Sequence, residues 1–259
     1  MNALRSLAFN LAFYLASAVM TLVTLPVFAL APEPTRLGVV RLWSKMGVVL
    51  LRLIVGTRLE VRGKEYMPRG GAIVASKHQS MFETFAIFTV LDAPAMVMKQ
   101  ELSRIPLWGW YTTRTGMIAI AREGGTATLR KLAADVKEAT AAGRQVVIYP
   151  EGTRRAPGAE PDYKGGLNHL YRVAGAPVVP AATNSGLFWP RRKFMRYPGT
   201  IVIEFLPPIP PGLTSAEFGT RLQEAIETAS DALLAEAART EPVPPLPDEA
   251  RARLAGLRA

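Results

Sequence analysis

The sequence of 259 residues contains no cysteine. This absence excludes disulfide bonds, thiolate metal sites and catalysis by a thiol nucleophile. Histidine is almost as scarce, with two residues in the whole chain. A site that uses an imidazole must therefore use His78 or His169, and we interpret His169 as structural because apolar residues of a helical pattern flank it.

Charge is nearly absent from the first 32 residues, in which Arg5 is the single charged residue. Residues 7–25 form a run of nineteen residues without charge or proline, close to the length that spans the hydrocarbon of a bilayer. We therefore predict a membrane-embedded first helix. A cleaved signal peptide is the alternative, because residues 29–31 (Ala-Leu-Ala) resemble a cleavage site, although the run is longer than the usual apolar region of about 7–15 residues.

The next segment, residues 36–55, is mostly apolar and carries only positive charges. At about 100° per residue, Arg41, Lys45 and Arg52 fall within about 40° of one another. Such a stripe predicts an interfacial helix whose long side chains reach lipid headgroups, and a second core or spanning helix is the alternative. The positive charges favour the inner membrane with the following domain on the cytoplasmic side. Whether the first helix spans the bilayer or enters one leaflet stays open.

Basic residues exceed acidic ones, with a formal net charge of +10, so an anionic partner is expected. One basic cluster is interleaved with aromatic residues: Arg191, Arg192, Lys193 and Arg196 with Phe188, Trp189, Phe194 and Tyr197. Near a hydrophobic amino terminus this mixture predicts an interfacial loop on anionic membrane lipids. A solvated charged loop is the alternative, and we do not expect nucleic acid as a partner.

Beyond residue 56, short apolar runs alternate with helical patterns, which predicts an α/β fold with a mixed, mostly parallel sheet flanked by helices. The predicted strands are 58–62, 72–76, 95–99, 117–121, 145–149, 178–183 and 201–205. The predicted helices are 82–91, 126–141, 166–174 and 215–238.

Three regions are predicted along the chain. Residues 1–56 form the membrane-embedded and interfacial helix pair, and residues 57–240 form the α/β domain. The tail, residues 241–259, contains four prolines within its first seven positions, at 242, 244, 245 and 247. This composition predicts a mobile extension without a regular element.

Two polar segments at strand ends carry the chemistry. Residues 149–154 (Tyr-Pro-Glu-Gly-Thr-Arg) place a basic residue on a tight glycine turn, where backbone N–H groups and an arginine fork can hold a phosphate. Residues 78–83 (His-Gln-Ser-Met-Phe-Glu) pair an imidazole with a carboxylate, as is required when a hydroxyl loses its proton while attacking a carbonyl. Either segment alone is also typical of a structural histidine or a polar turn.

In this order and separation, the segments resemble those of the glycerolipid acyltransferases, most closely the bacterial 1-acylglycerol-3-phosphate acyltransferases. Residues 78–83 and 149–154 resemble the first and third sequence blocks of that family. Residues 116–122, a strand ending in arginine, resemble the second block, and residues 176–180 the fourth. Two departures are small: Glu83 stands where aspartate is commoner, and Ala119 where an aromatic residue is frequent.

The resemblance implies direct transfer of an acyl chain from the thioester of acyl carrier protein or coenzyme A to the sn-2 hydroxyl of lysophosphatidic acid. It implies no metal, no cofactor and no acyl-enzyme. His78 would be the base, and Glu83 would orient it. Five residues correspond to about 140° on a helix, so the two cannot face each other within one. We therefore expect His78 in the loop after strand 72–76 and Glu83 in the first turn of the next helix, accepting the Nδ1–H of His78.

The resemblance also implies the groups that bind the acceptor's phosphate: Arg154, Arg122 and Lys99. Glu151, Gly152 and Thr153 are expected to support the loop. Glu151 is expected to orient Arg154 or the loop, since a carboxylate on a phosphate would repel it. Lys164 is a further candidate, with a helix-start cation as its alternative interpretation.

Two other functions remain open at this stage. The acceptor can be another lysolipid, such as a lyso-ornithine lipid without phosphorus. Alternatively, the protein is a non-catalytic membrane protein that binds anionic lipid. The set of His78, Glu83 and Arg154 argues against the second alternative, because a scaffold has no use for a paired imidazole and carboxylate. The acyl donor, the chain length and the oligomeric state are not determined by the sequence.

Overall fold

The computed structural model describes residues 1–121 and 125–257. Its strands are β1 (Thr57–Arg62), β2 (Ala72–Ser76), β3 (Pro94–Lys99), β4 (Ile118–Ile120), β5 (Gln145–Ile148), β6 (Val178–Thr183) and β7 (Gly199–Phe205). They form one sheet in the order β1-β7-β6-β2-β5-β3-β4. All neighbouring pairs are parallel except β6 and β7, which are antiparallel. The predicted mixed, mostly parallel sheet is confirmed.

The α-helices are α1 (Asn2–Leu30), α2 (Glu33–Leu50), α3 (Phe82–Ala86), α4 (Trp108–Arg114), α5 (Gly125–Ala141), α6 (Gly166–Ala174), α7 (Ser185–Phe188), α8 (Ser215–Ala237) and α9 (Asp248–Gly256). A π-helical turn, Leu51–Val55, extends α2. The short helices α4 and α7 were missed in the sequence, because a helix of one or two turns has too few residues to show a period.

The sheet separates two apolar cores. Ile73 and Ala75 of β2 are buried in one cluster, whereas Val74 is buried in the other. Because alternate side chains of a strand point to opposite faces, the clusters lie on the two sides of the sheet. Helices α5, α6 and the first half of α8 cover one face, and α1, α3 and the end of α8 cover the other. The central strands are thus buried on both faces, as parallel strands usually are.

Helix α1 both packs on the domain and presents apolar surface outward. Phe9, Phe13 and Phe28 are at most 2% exposed. Leu11 and Leu15, on another side of the helix, are 63% and 69% exposed. By length and composition α1 meets the requirements for crossing a bilayer. The predicted first helix is present, and it extends through Pro26 to Leu30.

The basic stripe predicted on the second helix is only partly right. Lys45 and Arg52 are exposed. Arg41, however, is half-buried and donates hydrogen bonds to three backbone carbonyls, those of Phe88, Leu91 and Asp92. These carbonyls lie at the end of the short helical segment after α3, where backbone acceptors have no helical partner. Arg41 therefore caps this short helical segment, and its side chain does not extend toward headgroups.

The expectation that the tail has no regular element is wrong, because α9 forms within it. Its helix follows the last of the prolines, Pro247, and has Asp248 and Glu249 in its first turn, where acidic residues favour the helix dipole. Arg253 pairs with Asp231 of α8 at 2.7 Å, and Ala250 is fully buried. All four prolines lie before α9, so they do not prevent the residues after them from forming a helix.

Arg144 links the segments around β3 and β4, at one edge of the sheet, to α2. It pairs with Glu33 at the start of α2, with a distance of 2.9 Å, and its side chain is 13% exposed. The guanidinium donates to four backbone carbonyls, those of Ala93, Pro94, Thr115 and Gly116. Burial lowers the pKa of Arg144. One side chain thus satisfies acceptors of the segments around β3 and β4 and links them to α2.

We predict that Arg144→Ala lowers the free energy of unfolding by about 2–3 kcal/mol, because buried carbonyls lose a charged donor. Denaturant unfolding in detergent micelles measures this change. The matched control is Arg172→Ala on the exposed face of α6, which is expected to change it by less than about 0.5 kcal/mol. Equal losses of unfolding free energy for the two substitutions would show that the contacts of Arg144 do not stabilise the fold.

Candidate active site

Three adjacent strands supply the candidate site. β6, β2 and β5 are neighbours and parallel, so their carboxyl ends meet at one edge of the sheet. His78 follows β2, residues 149–154 follow β5, and Ser185 follows β6. The two segments selected in the sequence are therefore brought together by strand order, as ligand sites of α/β sheets commonly are.

The carboxylate of Glu83 is the centre of the site. Its Oε1 lies 2.9 Å from His78 Nδ1 and accepts hydrogen bonds of 2.7 Å from the backbone N–H groups of Gln79 and Ser80. Its Oε2 accepts a hydrogen bond of 2.7 Å from Ser185 Oγ. The side chain is 2% exposed. Because the carboxylate accepts the contact with the imidazole, the proton of His78 is assigned to Nδ1.

His78 lies in the loop after β2, and Glu83 lies in the first turn of α3, as the sequence predicted. The imidazole stacks on the ring of Tyr149, with centroids 4.0 Å apart and planes at 19°. Burial raises the pKa of the Tyr149 phenol well above its usual range. Because Glu83 occupies Nδ1 and Tyr149 covers one ring face, Nε2 is the nitrogen left to accept a proton from a bound hydroxyl.

The loop after β5 is tied to the histidine loop. Gly152 has φ +62°, a left-handed conformation that glycine adopts without strain, and its N–H donates to the Tyr149 carbonyl at 2.9 Å. The backbone N–H of Arg155 donates to the carbonyl of His78 at 2.8 Å. This contact fixes the loop that carries Arg154 against the residue proposed as base.

The side chain of Arg154 lies among other cations. Burial lowers its pKa, and the charges of Arg191 and Arg192 lower it further, whereas Glu83 acts in the opposite direction. Arg191 Nη1 donates to the backbone carbonyl of Arg154 at 2.8 Å. Positive charge is thus concentrated beside the imidazole and carboxylate, which is an arrangement suited to an anionic group of a ligand.

A buried ion-pair network lies behind the site and was not identified from the sequence. Lys77 Nζ is 3.1 Å from Glu151 Oε1 and 2.8 Å from Glu227 Oε1, and the Lys77 and Glu151 side chains are 2% and 1% exposed. Tyr163 donates to Glu227 at 2.8 Å. Burial raises the pKa of Glu151, although Lys77 opposes this. Of the two roles expected for Glu151, the contact with Lys77 fits orientation of the loop, since it links the loops after β5 and β2 and does not involve Arg154.

The remaining predicted residues take different places. Lys99 is exposed at the carboxyl end of β3, at the same sheet edge but two strands, or about 10 Å, from β2. Thr153 lies in the loop with Gly152. Lys164 is exposed and pairs with Asp162 at 2.7 Å, which agrees better with its alternative interpretation. Arg122 lies outside the described residues.

The positions of Lys77 and Ser185 in the sequence could have indicated that they belong to the site. Each follows the end of a predicted parallel strand within two residues, where site residues collect. The position of Glu227 gives no such indication. It lies in the middle of α8, and only the packing of that helix brings it to Lys77.

Comparison with known proteins finds similarity to acyltransferases. Residues 58–184 match the family model described as Acyltransferase. The chain is 38% identical over 165 residues to the 1-acyl-sn-glycerol-3-phosphate acyltransferase of Pseudomonas aeruginosa, and the alignment covers 64% of each chain. It is 29% identical over 168 residues to the human 1-acyl-sn-glycerol-3-phosphate acyltransferase alpha, covering 63% of this chain and 59% of the human protein. The matches therefore span less than two thirds of these relatives.

A solved structure shares the fold. The 1-acyl-sn-glycerophosphate acyltransferase PlsC of Thermotoga maritima superposes with a TM-score of 0.74 at 22% sequence identity. The superposition covers 90% of this chain and 98% of that one. The likeness therefore extends beyond residues 58–184 to the flanking helices.

We predict that Lys77→Met lowers the free energy of unfolding by about 3–5 kcal/mol at pH 7, because two carboxylates lose their buried cation. Lys131→Met, which breaks an exposed pair with Asp135, is the control and is expected to cost at most about 0.5 kcal/mol. Denaturant unfolding measures both.

The pH dependence gives a second test of the same variant. Burial raises the pKa of Glu151, so the folded protein binds more protons there than the unfolded chain does. Without Lys77, stability should therefore fall as the pH rises through the Glu151 pKa and recover partly on acidification. A loss that does not diminish at lower pH would contradict this account.

Proposed function

We propose that the protein moves a fatty acyl chain from an acyl thioester to the sn-2 hydroxyl of lysophosphatidic acid, because residues 58–184 match the acyltransferase family model and the chain resembles enzymes named for this acceptor. The product is phosphatidic acid, an intermediate of phospholipid synthesis. One observation carries the proposal: the pair of His78 Nδ1 and Glu83 Oε1 at 2.9 Å shares a sheet edge with the guanidinium of Arg154. A base and an anion site are the two features that this acceptor requires.

The reaction is a direct displacement at the thioester carbonyl. His78 Nε2 takes the proton of the sn-2 hydroxyl as its oxygen attacks the carbonyl carbon, and Glu83 stabilises the imidazolium that forms. The C–S bond then breaks, the leaving sulfur takes the proton from His78 Nε2, and the free thiol departs with the imidazole returned to its neutral form. Because a thiolate is a good leaving group, the protein contributes mainly a base and the positioning of two bound substrates.

The phosphate of the acceptor is the group that the cations would hold. Arg154 presents a planar fork suited to two phosphate oxygens. Lys99, at the same sheet edge, and Arg122, after β4, are proposed to add charge, as the family resemblance implies. The donor is proposed to be the thioester of acyl carrier protein or coenzyme A.

Membrane attachment through α1 is part of the proposal. Its contacts with the domain extend from Ser6, which bonds to Arg196, to Phe28, whose ring lies 3.9 Å from Tyr111. Those residues are separated by about 33 Å along a helix, so α1 lies against the domain over nearly its whole length. This arrangement favours insertion into one leaflet over a perpendicular span. The proposed location is the inner membrane, with the domain on the cytoplasmic side.

The function is tested with the purified full chain in detergent micelles. Lysophosphatidic acid is offered with acyl coenzyme A and with acyl carrier protein thioesters, and the formation of phosphatidic acid is measured. A panel that includes other lysophospholipids and lyso-ornithine lipid establishes the acceptor. Faster transfer to any of these than to lysophosphatidic acid would contradict the proposed substrate.

We predict that His78→Ala lowers the maximal rate by at least about a hundredfold, because general-base catalysis contributes on that order. Glu83→Gln should reduce the rate less, since the base remains while its orientation and charge stabilisation are weakened. Initial rates with lysophosphatidic acid measure both, and circular dichroism controls for folding. Near-normal activity of folded His78→Ala would refute the mechanism.

We predict that Arg154→Ala lowers kcat/KM for lysophosphatidic acid about ten- to a hundredfold, which corresponds to the loss of a charge-assisted contact of about 1.5–3 kcal/mol. Arg154→Lys should also be impaired, because lysine lacks the planar fork. A lyso-ornithine acceptor, if it is turned over, should respond much less. Unchanged turnover of lysophosphatidic acid by Arg154→Ala would show that the phosphate is held elsewhere.

A further inference from the structure

The segment after β6 brings a second guanidinium to the anion site. We propose that Arg191, assisted by Arg192, completes the phosphate-binding site with Arg154, and that α1 holds these residues in place. This inference deepens the proposed function and rests on it, because it names further side chains that read the acceptor's phosphate. It also assigns part of the basic cluster to ligand binding, where the sequence had indicated contact with the membrane surface.

The geometry around Arg191 is that of a built site. Its Nη1 donates to the backbone carbonyl of Arg154 at 2.8 Å, so the two arginines are joined through the loop that follows β5. Arg191 is half-buried, and its Nε is buried with no hydrogen-bond partner among the described residues. A buried donor without a partner costs free energy, and an anion beside it would remove that cost.

The charges in this cluster are not balanced by nearby acids. In residues 1–121 and 125–257, no carboxylate oxygen lies within 4.0 Å of the guanidinium of Arg154, Arg191 or Arg192. Glu83 is close enough to act on the pKa of Arg154, but its two oxygens already accept hydrogen bonds from the histidine loop and Ser185. A phosphate is an anion suited to this charge, since the guanidinium groups of Arg154 and Arg191 can each donate in a fork and Arg192 adds a further positive charge.

The backbone of this segment is held in a conformation that it would not adopt alone. Arg192 has φ +56°, in the left-handed region that residues other than glycine rarely occupy. A residue is kept in that region only when its surroundings determine it, and such positions concentrate at ligand sites. The strain at Arg192 therefore needs a source of support in the neighbouring structure.

Helix α1 supplies that support. Ser6 Oγ accepts from the backbone N–H of Arg196 at 2.8 Å and donates to its carbonyl, and Asn10 Nδ2 donates to the Phe194 carbonyl at 3.3 Å. The ring of Phe9 meets Trp189 edge-on at 5.3 Å. The membrane helix thus binds both ends of the segment that carries Arg191 and Arg192.

Arg196 completes the support and is not itself a ligand. It is 5% exposed, its guanidinium lies 4.3 Å from the Trp189 ring centroid, and it donates to carbonyls of residues 193–195. Burial lowers its pKa to about 10. Of the four basic residues of the cluster, Arg196 is therefore structural, and Arg191 is half-buried beside Arg154. Arg192 and Lys193 are both exposed, and of these two only Arg192 is close enough to act on the pKa of Arg154.

The test compares Arg191→Gln with Lys193→Gln, a charge removal two residues away on the same segment. In uncharged detergent micelles, Arg191→Gln is expected to raise the KM for a short-chain lysophosphatidic acid about tenfold, with the KM for the acyl thioester unchanged. Lys193→Gln should leave both constants within about twofold. Arg191→Lys keeps the charge but not the planar fork, so its KM for lysophosphatidic acid should lie between those of the wild type and Arg191→Gln. An unchanged acceptor KM in folded Arg191→Gln would overturn the proposal.

Two further measurements separate the failure of this inference from failure of the proposed function. Calorimetry with inorganic phosphate should detect binding to the wild type and at least about tenfold weaker binding to Arg191→Gln, whatever the acyl acceptor is. Sedimentation with vesicles containing one quarter phosphatidylglycerol should be the same for the wild type and Arg191→Gln. If the wild type does not bind phosphate, the inference is overturned. If Arg191→Gln loses only vesicle binding, Arg191 belongs to the membrane surface and the inference is also overturned.

Discussion

The site depends on the hydrogen bonds that the buried carboxylate of Glu83 accepts. This carboxylate receives the imidazole of His78, two backbone N–H groups of the same loop, and the hydroxyl of Ser185 from the end of another strand. These donors fix the position of the carboxylate, and the carboxylate in turn orients His78. Without it, the loops after β2 and β6 would have no common acceptor, and Nε2 of His78 would have no fixed direction.

A second buried charge network supports this contact from behind. Lys77, adjacent to His78, pairs with Glu151, which is three residues before Arg154. Glu227 of α8 contributes a second carboxylate to the same ammonium group. The relative position of the loops that carry His78 and Arg154 is therefore set by largely buried ionic contacts, where a misplaced charge would be costly. Helix α8, outside the matched family segment, is part of the support of the candidate site.

Helix α1 contacts the site region directly through its inward face. Its outward face is apolar, while its inward face carries aromatic rings into the core and polar groups that hold the segment bearing Arg191 and Arg192. In the proposed membrane attachment, α1 would be both a lipid anchor and a wall of the domain, and it would place the anion site at a fixed depth relative to the bilayer. An acceptor with its phosphate at headgroup level would then reach the arginines without leaving the lipid.

The sequence by itself determined the elements whose signals are local. Strand runs such as residues 145–148, the apolar first helix and the spacing of His78 and Glu83 could all be interpreted from neighbouring residues, because periodicity and hydrogen-bonding reach act over a few positions. Tertiary structure decided the contacts between distant segments: Glu227 on Lys77, Ser185 on Glu83, Arg41 on backbone carbonyls and α9 on α8. Those depend on strand order and helix packing, which bring together residues that no local pattern relates.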